Sequence, residues 1–466
     1  MKNEFDPKNP RVKHAYQKRA LNIPPIKVLC IVIIIALIVS GTALLFLREP
    51  IGWSIIGFSS PFVVLLYWIS NALKNVPIRE TDNFTDIASE DLLLNLHRNM
   101  SPVEIARILP KTRSALFLMA RFQIGLGFFE QAAELLPQTT EIIYNTAKII
   151  REKTNSEEIT GAVLALAIIE NAPNYEFALN KLKLNINDLY QGVNWFNYLN
   201  GLVKNNKKSV RTGGIGRDFA FGFTPTLERF AINLSSRYTG ANEKIQQAEN
   251  AEIFKKIIDI FSHPGRQNVA LVGAYGSGRS SLVSSLAEFL INADSKVPNS
   301  LKYRQIFSLD APSLISAAKN HGELEYLMIK ILNEIYSAKN IVLCLDNAHL
   351  FFEEGPGSVD ISNLLTPILE AGKIRIILIM DDQKFLEISA RNSVIGNVLN
   401  KIVVPPTNRE ETLKVLMDQV PFFEYEKGVV YTYRSLLEAY RLSEQYIHDV
   451  EMPGKAKLLL ESAASY

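Results

Sequence analysis

The sequence is poor in cysteine and carries almost no net charge. Its 466 residues include two cysteines, Cys30 in an apolar run and Cys344 in a strand-like run, and neither has a partner at metal or redox spacing. We therefore expect no disulfide and no zinc site. The formal net charge is +2 at pH 7, which gives neither the basic footprint of a nucleic-acid-binding protein nor a sign of a globally acidic partner. We expect no nucleic-acid partner.

Charged residues are also missing from two long apolar runs near the N-terminus, 28–47 and 51–73. A helix of either length crosses about 30 Å of hydrocarbon, and in lipid a helix satisfies all of its own backbone hydrogen bonds. The two runs therefore predict a two-helix transmembrane hairpin over residues 28–76.

Basic residues flank the outer ends of this hairpin. Arg19 and Lys27 precede it, Lys74 and Arg79 follow it, and the turn contains Arg48 beside Glu49. The positive-inside rule then places the basic segment 1–27 and the bulk of the chain in the cytoplasm, at a bacterial-type inner membrane. Two alternatives are a cleaved signal peptide, for which the residues after the first run offer no small-residue cleavage site, and a soluble hairpin covered by protein.

The rest of the chain divides by composition and periodicity. Residues 83–202 show apolar spacing of three and four and predict an all-α domain, with a weak internal repeat that relates Phe117 to Leu179 and Phe128 to Tyr190. Residues 203–225 have the composition of a flexible linker, whose basic cluster (Lys204, Lys207, Lys208 and Arg211) could instead touch anionic lipid.

Residues 226–405 alternate short β-branched runs with helical patterns, which predicts a parallel α/β sheet buried on both faces. Candidate strands lie at 269–272, 341–345 and 374–379. Residues 406–466 are again helical and form a small lid. The expected fold is an α/β P-loop NTPase module with a small C-terminal helical lid, preceded by an all-α repeat domain and the transmembrane hairpin.

A phosphate-binding loop follows the first of these strands. Its glycines allow backbone N–H groups to surround phosphates at the start of a helix. The residues expected to bind the nucleotide here are Gly273, Gly276, Ser277, Gly278, Arg279, Ser280 and Ser281.

Two residues of this site depart from the requirements of ATP hydrolysis. Arg279 stands where a lysine normally reaches the β- and γ-phosphates, and a forked guanidinium is not equivalent to an ammonium. Ser280 and Asp346 can still hold Mg²⁺. The pattern resembles that of AAA+ enzymes, in which the residue after this aspartate is a glutamate that polarises the attacking water; here it is Asn347, whose amide cannot accept the proton. His349 has no neighbours at ligand spacing, and we expect it to be structural.

From these motifs onward the chain resembles the first ATPase module of the Clp unfoldases, ClpC in particular, over 224–466. The segments that carry the resemblance lie in the family's order and spacing: Thr224-Pro225-Thr226-Leu227-Glu228-Arg229-Phe230, the phosphate loop, Ser308-Leu309-Asp310, Gly322-Glu323-Leu324-Glu325, Leu345-Asp346-Asn347-Ala348-His349, Asn363-Leu364-Leu365-Thr366-Pro367, Leu442-Ser443-Glu444-Gln445-Tyr446-Ile447 and Met452-Pro453-Gly454-Lys455-Ala456. The helical repeat is similar to a divergent Clp N-terminal domain. The resemblance implies an AAA+ fold, binding of ATP with Mg²⁺, and a role for Lys455 at the nucleotide.

Further departures fall on positions that the family uses for mechanism. The paired arginines that act in trans align with Asn397 and Val398, the sensor-1 segment ends in Asp381, and Asn320 stands at the aromatic position of the pore loop. The residues for a second ATPase module or a peptidase-docking loop cannot be assigned.

Three functions remain open at this stage. The chain could be a membrane-tethered Clp-like protein that binds ATP with weak or absent hydrolysis, in a homo-oligomeric or mixed AAA+ ring. It could be a non-catalytic adaptor that recruits protein clients through the helical domain. It could be a working unfoldase subunit that partner subunits complete.

Overall fold

The computed structural model describes residues 6, 8–21, 24–71, 83–205, 224–237, 250–263, 265–292, 297–353 and 359–465. The expected linker and its basic cluster lie for the most part outside these residues, as do the flanking Lys74 and Arg79. The chain divides into two compact units, 1–199 and 200–466, which are described in turn.

The first unit is built of helices alone within its described residues. They are α1 (Pro10–Leu21), α2 (Pro24–Phe46), α3 (Ile51–Gly57), α4 (Ser60–Asn71), α5 (Phe84–Ile87), α6 (Glu90–Leu93), α7 (Pro102–Ile108), α8 (Arg113–Phe122), α9 (Leu126–Glu134), α10 (Glu141–Lys153), α11 (Gly161–Asn171), α12 (Tyr175–Lys181) and α13 (Ile186–Asn205).

The apolar hairpin consists of α2 packed against α3 and α4. Val28–Phe46 and Ile51–Trp68 are long and apolar enough to cross a membrane, and only 11% of each stretch is buried. The backbones meet at Gly41 and Gly52: a Cβ on Gly52 would lie 2.5 Å from the carbonyl oxygen of Gly41. The second run is not one straight helix, because it is interrupted between α3 and α4, just before Pro61, which has no N–H to donate.

Helix α1 packs on the helical domain that follows the hairpin. Val12 and Ala15 are fully buried. The Asn9 amide donates to the Asp86 carboxylate (2.6 Å), the Tyr16 hydroxyl donates to the Leu96 carbonyl (2.9 Å), and Lys18 forms an ion pair with Glu90. Residues just before the first apolar run thus contact residues just after the second.

The helical domain is centred on α11, whose residues from Gly161 to Ile169 are all buried. The first residue of α11 must be a glycine because this helix begins very close to Thr112: a Cβ on Gly161 would lie 1.9 Å from the hydroxyl oxygen of Thr112. The positions of the weak repeat fall on helices in both halves: Phe117 lies in α8 and Leu179 in α12.

The second unit contains a six-stranded sheet with the order β1-β3-β4-β5-β2-β6. Its strands are β1 (Ala231–Asn233), β2 (Asn268–Val272), β3 (Gln305–Asp310), β4 (Ile341–Asp346), β5 (Arg375–Met380) and β6 (Asn400–Val403). All neighbours are parallel except β1 and β3, which are antiparallel. The predicted α/β fold and its three candidate strands are confirmed.

Helices cover both faces of this sheet. They are α14 (Pro225–Phe230), α15 (Ala251–Ser262), α16 (Arg279–Ile291), α17 (Ala311–Ala317), α18 (His321–Ala338), α19 (Ser362–Ala371), α20 (Asp382–Arg391) and α21 (Ser393–Val398). Alternate residues of β2 enter opposite cores: Val269 and Leu271 pack with α15 and α16, whereas Ala270 and Val272 pack with α18 and α19. This two-sided burial explains why residues 269–272 of β2 are all apolar.

Three helices follow the sheet and form the small C-terminal lid: α22 (Arg409–Lys427), α23 (Tyr433–Tyr446) and α24 (Gly454–Ala463). A capping box between Asn408 and Glu411 fixes the start of α22, since each residue's side chain accepts a hydrogen bond from the other's backbone N–H.

Candidate nucleotide-binding site

The phosphate-binding loop connects strand β2 to the start of α16. Gly276 and Gly278 have φ values of +90° and +89°, which residues with a Cβ rarely adopt. Arg279 then begins α16. The turn therefore leads directly into a helix N-terminus, where free N–H groups and the helix dipole favour an anion.

The pair expected to hold magnesium comes together at the ends of two elements. Ser280 lies in the first turn of α16 and Asp346 is the last residue of β4. The Ser280 hydroxyl donates to the Asp346 carboxylate over 3.1 Å. Two hard oxygen ligands at this spacing suit Mg²⁺, which commonly binds one or two carboxylates together with substrate phosphates.

The guanidinium of Arg279 is already engaged by a carboxylate. Its Nη2 lies 2.6 Å from Oδ1 of Asp381, and the two side chains are 10% and 40% exposed. Strands β2 and β5 are neighbours in the sheet, with Val272 opposite Met380, and this register brings the residue after β5 beside the loop after β2. The ion pair was not predicted from the sequence, although a carboxylate at the end of a later strand was a signal for it.

Two buried polar atoms of the loop have no hydrogen-bond partner among the described residues: Oγ of Ser277 and Nη1 of Arg279. Such atoms cost free energy unless something satisfies them. Their location beside the glycine turn is where the phosphates of a nucleotide are held in this class of loop. The residues present therefore fit a nucleotide with Mg²⁺.

Asn347, at the catalytic position, has a left-handed backbone (φ +53°), and its N–H donates to the Asp346 carboxylate over 3.0 Å. Asparagine adopts this conformation more readily than most residues with a Cβ. Nearby, burial lowers the pKa of His349, which favours the neutral imidazole. No cluster of three or more potential metal-ligating side chains occurs among the described residues.

A turn of the lid, residues 450–454, packs directly on the phosphate-binding loop. The N–H of Glu451 donates to the Tyr275 carbonyl (2.7 Å) and the N–H of Gly454 donates to the Gly276 carbonyl (3.0 Å). A Cβ on Gly276 would lie 2.4 Å from Cγ1 of Val450. The loop is thus held between the sheet and the lid.

The remaining expected residues lie around this centre. A Cβ on Gly273 would lie 2.6 Å from the Val404 carbonyl oxygen, so this residue is packed against the chain that leaves β6. Ser281 is exposed in the first turn of α16. Lys455 is buried at the start of α24, next to the turn that contacts the loop, and its N–H donates to the Glu451 carbonyl (3.2 Å).

Two of the mechanistic departures have local structural roles. The Asn320 side chain caps α18 by accepting from the N–H of Glu323 (2.8 Å). Asn397 lies in α21, where its carbonyl accepts from the Arg266 guanidinium (2.8 Å), and Val398 is buried. Neither Asn397 nor Val398 supplies the cation that the resemblance implies for these positions.

Comparison with family models gives no match. Among curated proteins the chain is similar to the chaperone protein ClpB of Lactococcus lactis subsp. cremoris, at 30% identity over 242 residues, which is 51% of this chain and 28% of that protein. It is also similar to the chaperone protein ClpB 1 of a Synechocystis species, at 32% identity over 46% of this chain and 24% of that protein. The ATP-binding subunit of the ATP-dependent Clp protease (ClpA homologue) of Guillardia theta is 28% identical over 52% of this chain and 30% of that protein. The chain thus spans about a quarter to a third of the length of these relatives.

Among solved structures, a Saccharomyces cerevisiae Hsp104–ADP complex covers 51% of this chain and 41% of its own chain, at 25% identity and a TM-score of 0.46. A Hsp104–casein complex from the same organism gives 25% identity and a TM-score of 0.45.

Proposed function

Since this chain is a relative of the Clp ATPases, we propose that it is a membrane-tethered AAA+ protein that binds ATP with Mg²⁺ and hydrolyses it slowly or not at all. The observation that carries the proposal is at the end of β4. Asp346 meets Ser280 at 3.1 Å, as a magnesium site requires, while the next residue is Asn347.

The binding half of the proposal is supported by the loop. Its glycine turns, the helix N-terminus of α16 and the two unsatisfied buried atoms form an arrangement that nucleotide phosphates would complete. Arg279 supplies positive charge, and Ser280 and Asp346 would hold the metal ion. When bound, Mg²⁺ neutralises negative charge on the phosphates.

The proposal of slow or absent hydrolysis rests on two missing groups. One is the carboxylate that would accept a proton from water, and the other is the arginine that a neighbouring subunit would supply. The amide of Asn347 can orient a water molecule but cannot take its proton, and general-base catalysis is worth about 10²–10⁴-fold in rate. An arginine finger is worth about 10³–10⁵-fold, and its expected positions are occupied by Asn397 and Val398. The two losses together would leave binding intact and turnover very slow.

Membrane tethering is supported by the exposure of the hairpin. Apolar side chains such as Val39, Phe46 and Val64 are 60%, 90% and 64% exposed. A patch this extensive is not stable in water and marks a surface that lipid or protein covers. Its length and composition favour lipid.

An adaptor function is the second candidate, and the helical domain favours it. Its helix α11 is buried from Gly161 to Ile169, and apolar residues such as Leu116 and Phe177 are 53% and 66% exposed. Recruitment of protein clients, and assembly into a homo-oligomeric or mixed ring, remain proposals that come from the Clp relationship.

The test uses the full chain in lipid nanodiscs, with nucleotide titration and phosphate release measured on the same preparation. We expect Mg²⁺-dependent binding without appreciable release. Ser280→Ala should weaken the Mg²⁺-dependent part of binding, whereas Ser284→Ala, one turn further along α16, is the matched control and should leave it unchanged. Absence of any nucleotide binding would favour the adaptor.

The same assay tests the assignment of the missing groups. Arg279→Lys combined with Asn347→Glu should not restore fast hydrolysis while Asn397 remains. If this double variant releases phosphate at the ordinary rate of an active ATPase, the absence of an arginine at position 397 does not limit hydrolysis, and this part of the proposal is refuted.

A further inference from the structure

Arg279 supplies the positive charge of the phosphate-binding loop, and it is already paired with Asp381. Arg279 is nine-tenths buried, so water screens its charge poorly. Its Nη2 contacts Asp381 at 2.6 Å, while Nη1 has no partner among the described residues. One arm of the guanidinium is therefore paired with a carboxylate, and the other is buried without a hydrogen-bond partner.

Asp381 is held in place by the fold. It directly follows β5, whose last residue Met380 is paired with Val272 of β2, immediately before the loop. Neighbouring cations are engaged elsewhere: Lys384 pairs with Glu353 (3.1 Å) and Lys401 pairs with Asp382 (2.7 Å). The negative charge of Asp381 is therefore directed at Arg279 alone among these cations.

In loops of this class the basic side chain serves both the β- and the γ-phosphate. We propose that Asp381 takes the place of the third phosphate as the partner of Arg279, so that the site selects a nucleoside diphosphate over a triphosphate. This inference rests on the proposed nucleotide binding and concerns which nucleotide is retained.

The preference follows from charge. A triphosphate brings one further negative charge to the end of the site where Asp381 already stands, and it must compete with that carboxylate for the same guanidinium. A diphosphate lacks this further charge and leaves the pair of Arg279 with Asp381 in place. A fixed like charge a few ångströms away, at the partly exposed edge of a protein site, weakens binding by about ten- to a hundredfold.

The experiment measures dissociation constants of ADP and of a non-hydrolysable ATP analogue on the full chain in nanodiscs with Mg²⁺, by calorimetry or by displacement of a fluorescent nucleotide. Native protein should bind ADP about tenfold or more tightly than the analogue. Asp381→Asn should reduce this ratio to near unity, chiefly by strengthening analogue binding. Asp382→Asn is the matched control, because it removes the same charge one residue away from an acid paired with Lys401, and it should leave the ratio unchanged.

The outcomes separate the two proposals. If native protein binds neither nucleotide, the proposed function fails. If it binds both equally, or prefers the triphosphate, the selection inference is overturned while nucleotide binding stands. A ratio that Asp381→Asn leaves intact, or that Asp382→Asn reduces equally, also overturns it. Should Asp381→Asn fail to fold, the ratio of the native protein decides the question alone.

Discussion

The contact between the phosphate-binding loop and the lid can be tested by adding one methyl group. Gly276→Ala would place a Cβ 2.4 Å from Cγ1 of Val450 and 2.7 Å from the carbonyl oxygen of Glu451, at a backbone φ of +90°. The left-handed conformation costs an alanine roughly 1–2 kcal/mol. The two close contacts cannot be relieved unless turn 450–454 moves away from the loop.

That movement would break two backbone hydrogen bonds, from Glu451 to Tyr275 and from Gly454 to Gly276. A hydrogen bond of this kind contributes about 0.5–1.5 kcal/mol, so the pair contributes about 1–3 kcal/mol. Exchange of the amide hydrogens of Glu451 and Gly454 should then accelerate by roughly 5- to 150-fold, since about 1.4 kcal/mol corresponds to a factor of ten.

Hydrogen exchange followed by mass spectrometry on the full chain measures this change directly. Gly428→Ala is the control, because Gly428 also has a positive φ (+68°) but a Cβ there meets no atom within 4 Å. The control should leave exchange at 450–454 unchanged. Native-like protection of Glu451 and Gly454 in the Gly276→Ala variant would show that the lid does not depend on this contact.

Two further predictions concern the first unit. Replacing residues 24–71 by a flexible glycine-serine segment should give a chain recovered without detergent, and a product that still needs detergent would show that the hairpin is not the sole anchor. Burial raises the pKa of Tyr144 to about 12 from its ordinary 10, so the stability it contributes is complete below pH 10 and is lost as pH rises through 12, by about 3 kcal/mol. The thermal midpoint of the helical domain should fall over that pH window in the native chain and fall less in Tyr144→Phe. An equal fall in both would contradict this assignment.

The sequence was most informative where function or burial dictates local chemistry. The glycines at 276 and 278 are required by the loop itself, and a carboxylate such as Asp346 follows a strand that must be apolar because both of its faces are covered. Patterns of this kind are visible within about ten residues of chain, so the α/β fold and the centre of the site could be predicted.

The partners of individual side chains could not be predicted in the same way. Asp381 meets Arg279 only because β2 and β5 are neighbours in the sheet, although they lie about one hundred residues apart. Asn320 was noted as a missing aromatic residue, and its part in capping α18 depends on where that helix begins. The basic segment before the hairpin gave no periodic signal of α1, whose burial depends on distant residues such as Asp86 and Glu90.

The docking of α1 has a topological consequence. Helix α1 precedes the apolar hairpin, and its partners α5 and α6 follow it. The segments on the two sides of the hairpin are therefore in contact with each other. The helical domain is therefore joined to the hairpin side of the chain in two ways, one covalent and one formed by Val12, Ala15 and the pair of Lys18 with Glu90. A single backbone break between residues 71 and 83 would leave the helical domain attached to the hairpin through α1. Its release would also require α1 to separate from α5 and α6.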